Sequence, residues 1–452
     1  MGTNHHERKV FFSFLGATNY SACHYVINNK TMPQVRYVQE AVLNYYSQSG
    51  EWSQSDKAYI LLTSIAREKN WENDGHRDKD TGEVIKQKGL RDRLEVSNLA
   101  MPVEPIDVLP GNNEAEIMTI FTTLFNLLQE GDELYFDITH GFRYLPIIAL
   151  VLGNYSKFLK GVKVKWIGYG NYEARDKKSE IAQVVDLTSM SMLQDWTTAA
   201  ADFINNGNAR EMSQLTQRQQ ETQLSYHEED DNIDDSNSIT EMAKSLEAVV
   251  DDFKSCRGKN ISNANSLKQL KKHIDDIEHQ LSNLEKDNIT FSNPIVPLLS
   301  KIKDAIKDFD VDTEQNILQN GFVAAQWCID NNMSQQAATI LQETMISYIC
   351  SQHDIDVNNE HKRLWASKAI GLINVLEKDW IVKGDKERNK IKEIIEKEPL
   401  IQNSEFLDSY KKLSNLRNDF NHCGMRKNAM NVKEIEEELR HSHQVLYNLL
   451  IK

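Results

Sequence analysis

The sequence predicts an α/β domain followed by an all-α region: an N-terminal Rossmann-like domain, a helical linker region and a C-terminal helical domain. Three observations predict it. Strand-like apolar runs alternate with helix-spaced runs over roughly the first 190 residues, the pattern of a parallel α/β sheet. No strand signal of any strength follows Leu187. Between the two regions, residues 205–238 are rich in Asn, Gln, Glu and Asp, and HEEDDNIDD at 227–235 reads as a solvated linker or loop. The expected domains are 1–200, 201–310 and 311–452; the composition change marks the first boundary.

Taken in order, Lys9–Leu15 (KVFFSFL) is a dense apolar run and reads as the first, buried strand. Gly16-Ala17-Thr18-Asn19 follows at once, where a doubly wound sheet carries a ligand loop. There is no GxGxxG, so a dinucleotide site is not supported. Residues 23–27 read as a short strand entering an Asn28-Asn29 turn, and residues 35–46 as a helix. Residues 58–63 (AYILLT) are a second core strand ending on Thr63. Residues 71–88 read as an exposed loop, 90–99 as a short helix and 103–109 as a strand. Asn112 or Asn113 would cap a helix over 114–128, with Gly131 near its end. Residues 162–168 and 184–187 supply the last strands. In the helical region, residues 266–284 carry Leu267, Leu270, Ile274, Ile277, Leu281 and Leu284 on one seam, either intramolecular or between copies. Pro294 and Pro297 break the helical pattern, and an Asn331-Asn332 turn divides the helical pair over 322–350. Residues 369–376, 391–395, 407–416 and 432–451 complete the bundle.

The stretch ELYFDITHGFRYLP at 133–146 organises the first region. A strand breaks into Thr139-His140-Gly141-Phe142-Arg143, and a proline-started helix follows. The loop offers a hydroxyl, an imidazole, a glycine that admits a ligand to the backbone, and a guanidinium. Those groups suit a phosphate, and the N-terminus of the next helix adds N–H donors. The alternative is a tight turn carrying a surface His and Arg.

Composition narrows the function. The chain is 40% hydrophobic and 26% charged, ordinary for a globular protein, and its net charge is −15. Stable DNA binding through a broad basic surface is not expected. The five cysteines are scattered without a C-x-x-C pair, which points to reduced thiols in the cytoplasm and to no metal site. Neither a signal peptide nor a membrane span is expected.

A second constellation, KLSNLRNDFNHCG, lies at 412–424. Arg417 and His422 would be roughly 140° apart on an ideal helix, so they share a face only if the helix ends there; Gly424 suggests that it does. Histidine can move a proton near neutral pH. Arginine can hold a phosphate or a developing charge. No Asp/Glu metal cluster accompanies them. The combination suits metal-independent RNA cleavage by the substrate's own 2′-hydroxyl. A helix-terminal His beside a solvated Arg is the alternative.

FLGATNY at 14–20, DITHGFRYLP at 137–146 and RNDFNH at 417–422 together resemble the CRISPR-associated CARF–HEPN ribonucleases of type III systems. GFVAAQWCIDNNMSQQAATILQE at 321–343 is similar to the first helical hairpin of that HEPN type, while 205–310 carries nothing diagnostic. The resemblance implies a CARF-like sensor over 1–200 and a HEPN-like ribonuclease over 311–452. It implies a homodimer, or a higher oligomer, that binds cyclic oligoadenylate across its two-fold axis and then degrades single-stranded RNA to 2′,3′-cyclic phosphate products. Cyclic tetra-adenylate is the expected activator. Arg417 would hold the scissile phosphate, Asn418 orient the arginine, and His422 move the proton or stabilise the transition state. Gly16, Thr18, Asn19, Thr63, Asn112, Thr139, His140, Gly141, Phe142 and Arg143 would contact the ligand. His140 or Thr139 could also cleave the ligand slowly. The acidic body needs only local cations: Arg143 at the sensor, and Arg417, Arg426 and Lys427 at the nuclease. The rival class is a non-catalytic sensing adaptor, which would not need the arginine–histidine pair.

Overall fold

The computed structural model describes residues 7–72, 76–77, 80–85, 87–224, 233–283, 292–313, 315–425, 427 and 429–451. Leu284, Arg426 and residues 227–232 of the acidic run, named above, lie outside these. The chain divides into two compact units, Met1–Gln194 and Asp195–Lys452.

The first unit is built on β1 (Lys9–Leu15), whose boundaries match those read from the sequence. Its side chains alternate between two cores. Phe11 and Leu15 enter one; Val10, Phe12 and Phe14 enter the other. Both faces of the strand are covered, which is why its sequence lacks polar alternation. The chain continues through β2 (His24–Ile27), β3 (Lys30–Thr31), α1 (Val38–Gln48), β4 (Lys57–Leu62) and α2 (Ser64–Ala66). A π-helical turn, Arg67–Glu72, follows, then α3 (Leu90–Val96), β5 (Val103–Asp107), α4 (Glu114–Leu127) and β6 (Glu133–Asp137). The unit closes with α5 (Leu145–Lys160), β7 (Lys163–Gly170), β8 (Ile181–Asp186) and the start of α6 (Thr188–Asn206). Residues of α1 and α3 pack on one face of the sheet, and those of α4 and α5 on the other.

The sheet has eight strands in the order β3-β2-β8-β7-β6-β1-β4-β5. It is mixed rather than wholly parallel, correcting the expectation. Strands β7, β6, β1, β4 and β5 run parallel, but β8 is antiparallel to β7 and β3 to β2. The β7–β8 connection is too short for the crossover that parallel pairing requires. The order reverses at β1, which neighbours β4 on one side and β6 on the other. The crevice beyond the carboxyl ends of β1 and β6 is thus the topological switch point, where open α/β sheets bind ligands.

The region expected as an exposed loop after β4 is also corrected. Trp71 and His76 are buried, and the π-turn turns the Trp71 ring into the core beside Leu90 and Leu94. Burying one indole outweighs the charge around it.

Among the described residues, the regular structure of the second unit is all helical. After α6 it comprises α7 (Arg210–Leu224), α8 (Ile233–Lys254), α9 (Gly258–Asn263), α10 (Asn265–Asn283), α11 (Ser292–Ala305) and α12 (Ile317–Asp330). It ends with α13 (Ser334–Gln352), α14 (Glu360–Leu372), α15 (Asp385–Lys397), α16 (Ser404–Asn421) and α17 (Val432–Leu450). One apolar core runs through it, from Trp196 and Met242 to Leu439 and Leu446. Residues 205–224 are therefore not a solvated linker: α7 buries Met212 and Leu215 in this core. The α10 seam is intramolecular, since Leu267, Leu270, Ile274 and Ile277 are buried and α10 packs on α8. Pro294 and Pro297 do not interrupt the chain; α11 runs through both. Pro294 falls in the first turn, where an N–H has no intrahelical acceptor, so only Pro297 forfeits a bond. No helix among the described residues is long and apolar enough to cross a membrane.

Candidate functional site

The parallel strands bring their carboxyl ends to one edge of the sheet. Gly16, Thr18 and Asn19 follow β1, Thr63 follows β4, Asn112 follows β5, and Thr139–Arg143 follow β6. All the expected ligand residues thus lie along that edge. The β1 and β6 loops meet: the Tyr20 and His140 rings are 4.2 Å apart.

Asp137 at the end of β6 anchors the loop. It is fully buried and accepts from the Thr139 N–H at 3.0 Å, the Thr139 hydroxyl at 2.5 Å and the Ser13 hydroxyl at 2.7 Å. Gln39 of α1 donates to Ser13 Oγ and to the Phe14 carbonyl, each at 3.0 Å. Thr139 Oγ1 also accepts from the Gly170 N–H at 2.7 Å, tying the loop to β7. Burial raises the Asp137 pKa despite these donors. Thr139 is thereby held by its own strand and two neighbours.

His140 is half-buried, and its Nε2 is enclosed with no hydrogen-bond partner among the described residues. Desolvation lowers its pKa to about 4, so the ring is neutral at pH 7. Burial pushes the facing Tyr20 hydroxyl up to about 12. Gly141 has φ +120°, and a Cβ there would collide with Leu145 and press on Phe14, so the turn requires glycine. Phe142 and Arg143 are exposed, and Arg143 makes no ion pair among the described residues. The Phe142 ring stacks on Tyr144 at 5.3 Å. The Tyr144 hydroxyl reaches Gly111, which joins the β5 loop to the same edge.

The remaining candidates sit around this centre. Thr63 caps α2, accepting from the Ala66 N–H at 3.2 Å. Asn113 rather than Asn112 caps α4, accepting from the Glu116 N–H at 3.0 Å, and Asn112 is left exposed. Asn19 accepts from Arg36 at 2.7 Å.

Sequence reasoning missed the residues that hold the β1 loop. Asn70, in the π-turn, donates to the Gly16 carbonyl at 2.8 Å and the Thr18 carbonyl at 2.9 Å. Its Oδ1 faces the Tyr37 hydroxyl at 3.3 Å and His76 Nε2 at 3.0 Å. Arg36 bonds the Tyr20 carbonyl and Gln87 as well as Asn19. A lone Asn and Arg in a polar context give no local signal.

In the helical unit, α16 ends at Asn421 and His422 is its C-cap. Cys423 and Gly424 follow at φ 52° and 67°, so the helix does stop there. His422 and Asn418 are exposed. Arg417 is half-buried; its Nη1 donates to Gln342 Oε1 at 2.8 Å and to Glu343 Oε1 at 3.1 Å, both on α13. Asn418 offers its carbonyl to the His422 N–H at 3.1 Å. Lys427 is exposed. The five cysteines, of which Cys23, Cys328 and Cys350 are buried, form no disulfide.

The chain thus carries a Rossmann-like sheet with a polar, loop-built switch point and, after it, a helical unit with an arginine–histidine pair at a helix end. Comparison with known proteins adds the following. Residues 10–173 match the family model for the CARF domain of the CRISPR system endoribonuclease Csx1. CRISPR-associated protein MJ1674 of Methanocaldococcus jannaschii is 28% identical over 134 residues, which are 30% of this chain and 21% of that relative. The matched stretch therefore spans about a fifth of the relative's length. Among solved structures, Enterococcus italicus Csm6 bound to cyclic hexa-2'-fluoro-hexa-dAMP aligns with a TM-score of 0.42 at 11% identity, over 98% of this chain and 94% of that one. That likeness is too distant to bear on individual residues. The match to a CARF domain thus falls within the first unit of the chain.

Proposed function

We propose that the protein is a cyclic oligoadenylate-activated, metal-independent endoribonuclease that degrades single-stranded RNA in type III CRISPR defence. The observation that carries this reading is Arg417 and His422 at the abrupt end of α16, in a chain whose first unit matches a CARF domain. The switch-point edge binds the cyclic ligand. Arg143 and the N-terminus of α5 meet its phosphates, and Thr139, His140, Gly141 and Phe142 line it, with Gly16, Thr18, Asn19, Thr63 and Asn112 around them. Cyclic tetra-adenylate is the activator.

Cleavage proceeds by attack of the RNA 2′-hydroxyl on the adjacent phosphorus, which expels the 5′-oxygen and leaves a 2′,3′-cyclic phosphate. His422 transfers the proton, Arg417 stabilises the phosphorane charge, and Asn418 orients the arginine. Two copies supply one composite site. A dimer is supported by the outer face of α5, where Ile147, Val151, Tyr155 and Phe158 are exposed at 65%, 50%, 46% and 87%. An apolar stripe of that kind suits an isologous contact. Slow ligand cleavage at Thr139 or His140 would limit the response.

The test is cleavage of a fluorescent single-stranded RNA in EDTA, with cyclic tri-, tetra- and hexa-adenylate titrated separately. Activity with tetra-adenylate alone supports the reading. Ligand binding without cleavage at any ring size would favour the non-catalytic adaptor.

A further inference from the structure

We propose that Glu343 and Gln342 are positioning residues for Arg417, turning one edge of its guanidinium toward the RNA phosphate. This rests on the ribonuclease reading above. The two residues are adjacent on α13 and grip the same nitrogen. Nη1 of Arg417 donates to Gln342 Oε1 at 2.8 Å and to Glu343 Oε1 at 3.1 Å. An Nη nitrogen has two hydrogens, so Nη1 is fully used. The Nη2 and Nε hydrogens make no hydrogen bond among the described residues. They form the planar fork that matches two phosphate oxygens.

The grip is itself braced. The other oxygen of Glu343 accepts from Arg363 Nη2 at 2.7 Å. Arg363, on α14, is fixed in turn by the Ser347 hydroxyl at 2.8 Å and the Val357 carbonyl at 3.3 Å. Gln342 is buried, and its amide nitrogen donates to Ser414 Oγ at 2.7 Å. Ser414 closes the path by donating to the Tyr410 carbonyl at 3.0 Å, one turn back on α16. An amide fastened to α16 and a carboxylate fastened to α14 thus set the guanidinium plane from two directions. A surface ion pair alone would not be braced in this way.

A carboxylate beside a catalytic arginine could instead occupy the phosphate's place and hold the enzyme off. The two roles predict opposite signs. If Glu343 positions Arg417, Glu343→Ala lowers kcat about 10- to 100-fold, the usual cost of losing an orienting partner, with a smaller change in the KM for RNA. Glu343→Gln, which keeps one acceptor and the shape, retains more activity than Glu343→Ala. Arg363→Ala lowers kcat by releasing Glu343. The effect must also pass through Arg417. In an Arg417→Lys background, Glu343→Ala should cost less than about threefold, because no planar fork remains to orient.

The measurement is steady-state RNA cleavage over a range of RNA concentrations by the whole chain with saturating cyclic oligoadenylate, with thermal unfolding to check each variant's fold. If Glu343→Ala does not fold, Glu343→Gln and Arg363→Ala carry the comparison. Wild-type kcat in the Glu343 variants, activity above wild type in Glu343→Gln, or additive losses in the Arg417→Lys background would overturn the proposal. A wild-type protein with no ribonuclease activity would instead defeat the reading on which it rests.

Discussion

Around Thr139 the anchoring groups are bonded within one unit, while the neighbouring His140 Nε2 and Tyr144 hydroxyl are enclosed without a partner among the described residues. Asp137 takes three donors, Gln39 and Gly170 complete the net, and Gly141 fits a turn no other residue would adopt without strain. Around His422 the reverse holds. The imidazole is exposed at a helix end, and Arg417 is held by partners on another helix. A site that must distinguish a ligand gains from donors fixed beforehand, since ordering them on binding would reduce affinity. In the proposed reading the second site is completed by another copy of the chain, and its chemical groups would lie at a surface until that copy arrives. The difference also explains how substitutions should act: in the first unit through folding and ligand affinity together, in the second through turnover alone.

The largest separation is expected from His422→Ala. Losing a general acid or base lowers cleavage about a thousandfold. The same variant should bind cyclic oligoadenylate as the wild type does, by calorimetry, and unfold at the same temperature, because the side chain is exposed. A parallel loss of ligand affinity would break the contrast between the units.

Gly141→Val tests the other side. The added side chain must enter a positive-φ turn and displace Leu145 and Phe14, so a loss of at least about 3 kcal/mol of stability is expected, with ligand affinity falling alongside it. Denaturant unfolding followed by ligand titration measures both. A variant that unfolds normally yet binds no ligand would mean that the turn's rigidity is not what Gly141 supplies.

How much of this contrast could be read from the chain alone depends on how local its causes are. The KVFFSFL run gave β1 to the residue, because two covered faces leave seven residues with little polar interruption. The pairing of GATN with THGFR followed once both were placed after parallel strands. What stayed hidden depends on distant partners. Asn70 reaches Gly16 and Thr18 across more than fifty residues, and only the fold brings them together. Glu343 and Arg417 are likewise joined only by the packing of α13 on α16. The polar average over 205–238 concealed Met212 and Leu215, whose helical stripe is diluted by polar neighbours such as the exposed Gln217. Pro297 suggested a break because propensity weighs one residue, while the buried Ile295, Leu299 and Ile302 of α11 hold the helix through it.

A pH experiment separates the two units next. The folded-state pKa of His140 is about 4, below the ordinary 6.5. Between those values the unfolded chain binds more protons, so stability rises with pH across the window. It is complete above pH 6.5 and lost as pH falls toward 4, by at most about 3 kcal/mol. Asp137 acts with the opposite sign, since its pKa is raised: its contribution declines as pH climbs above the ordinary carboxylate value of 3.8. His443, buried in the second unit with Nε2 3.0 Å from the Phe322 carbonyl, is lowered like His140 but keeps a partner. Replacing His140 by Gln should therefore flatten the rise between pH 4 and 6.5 only for the first unit, measured by hydrogen exchange in each unit. An unchanged slope there would assign the acid sensitivity to other groups.

The smallest expected change is at Tyr144, and its sign is what matters. The hydroxyl is enclosed near Gly111 with no hydrogen-bond partner among the described residues, and burial raises its pKa. An enclosed hydroxyl without a partner costs free energy, so Tyr144→Phe should leave the folded protein unchanged or more stable by up to about 1 kcal/mol. The ring itself, stacked on Phe142, is retained. If the proposed ligand edge is right, the hydroxyl has a use that folding does not supply: it would donate to the cyclic ligand. Ligand affinity in Tyr144→Phe should then fall by a few-fold while the melting temperature holds or rises. A residue that weakens binding as it stabilises the fold would mark this edge as shaped for a ligand rather than for the sheet. Equal affinity with a higher melting temperature would return Tyr144 to a packing role and leave Arg143 and Thr139 as the polar contacts at that end of the loop.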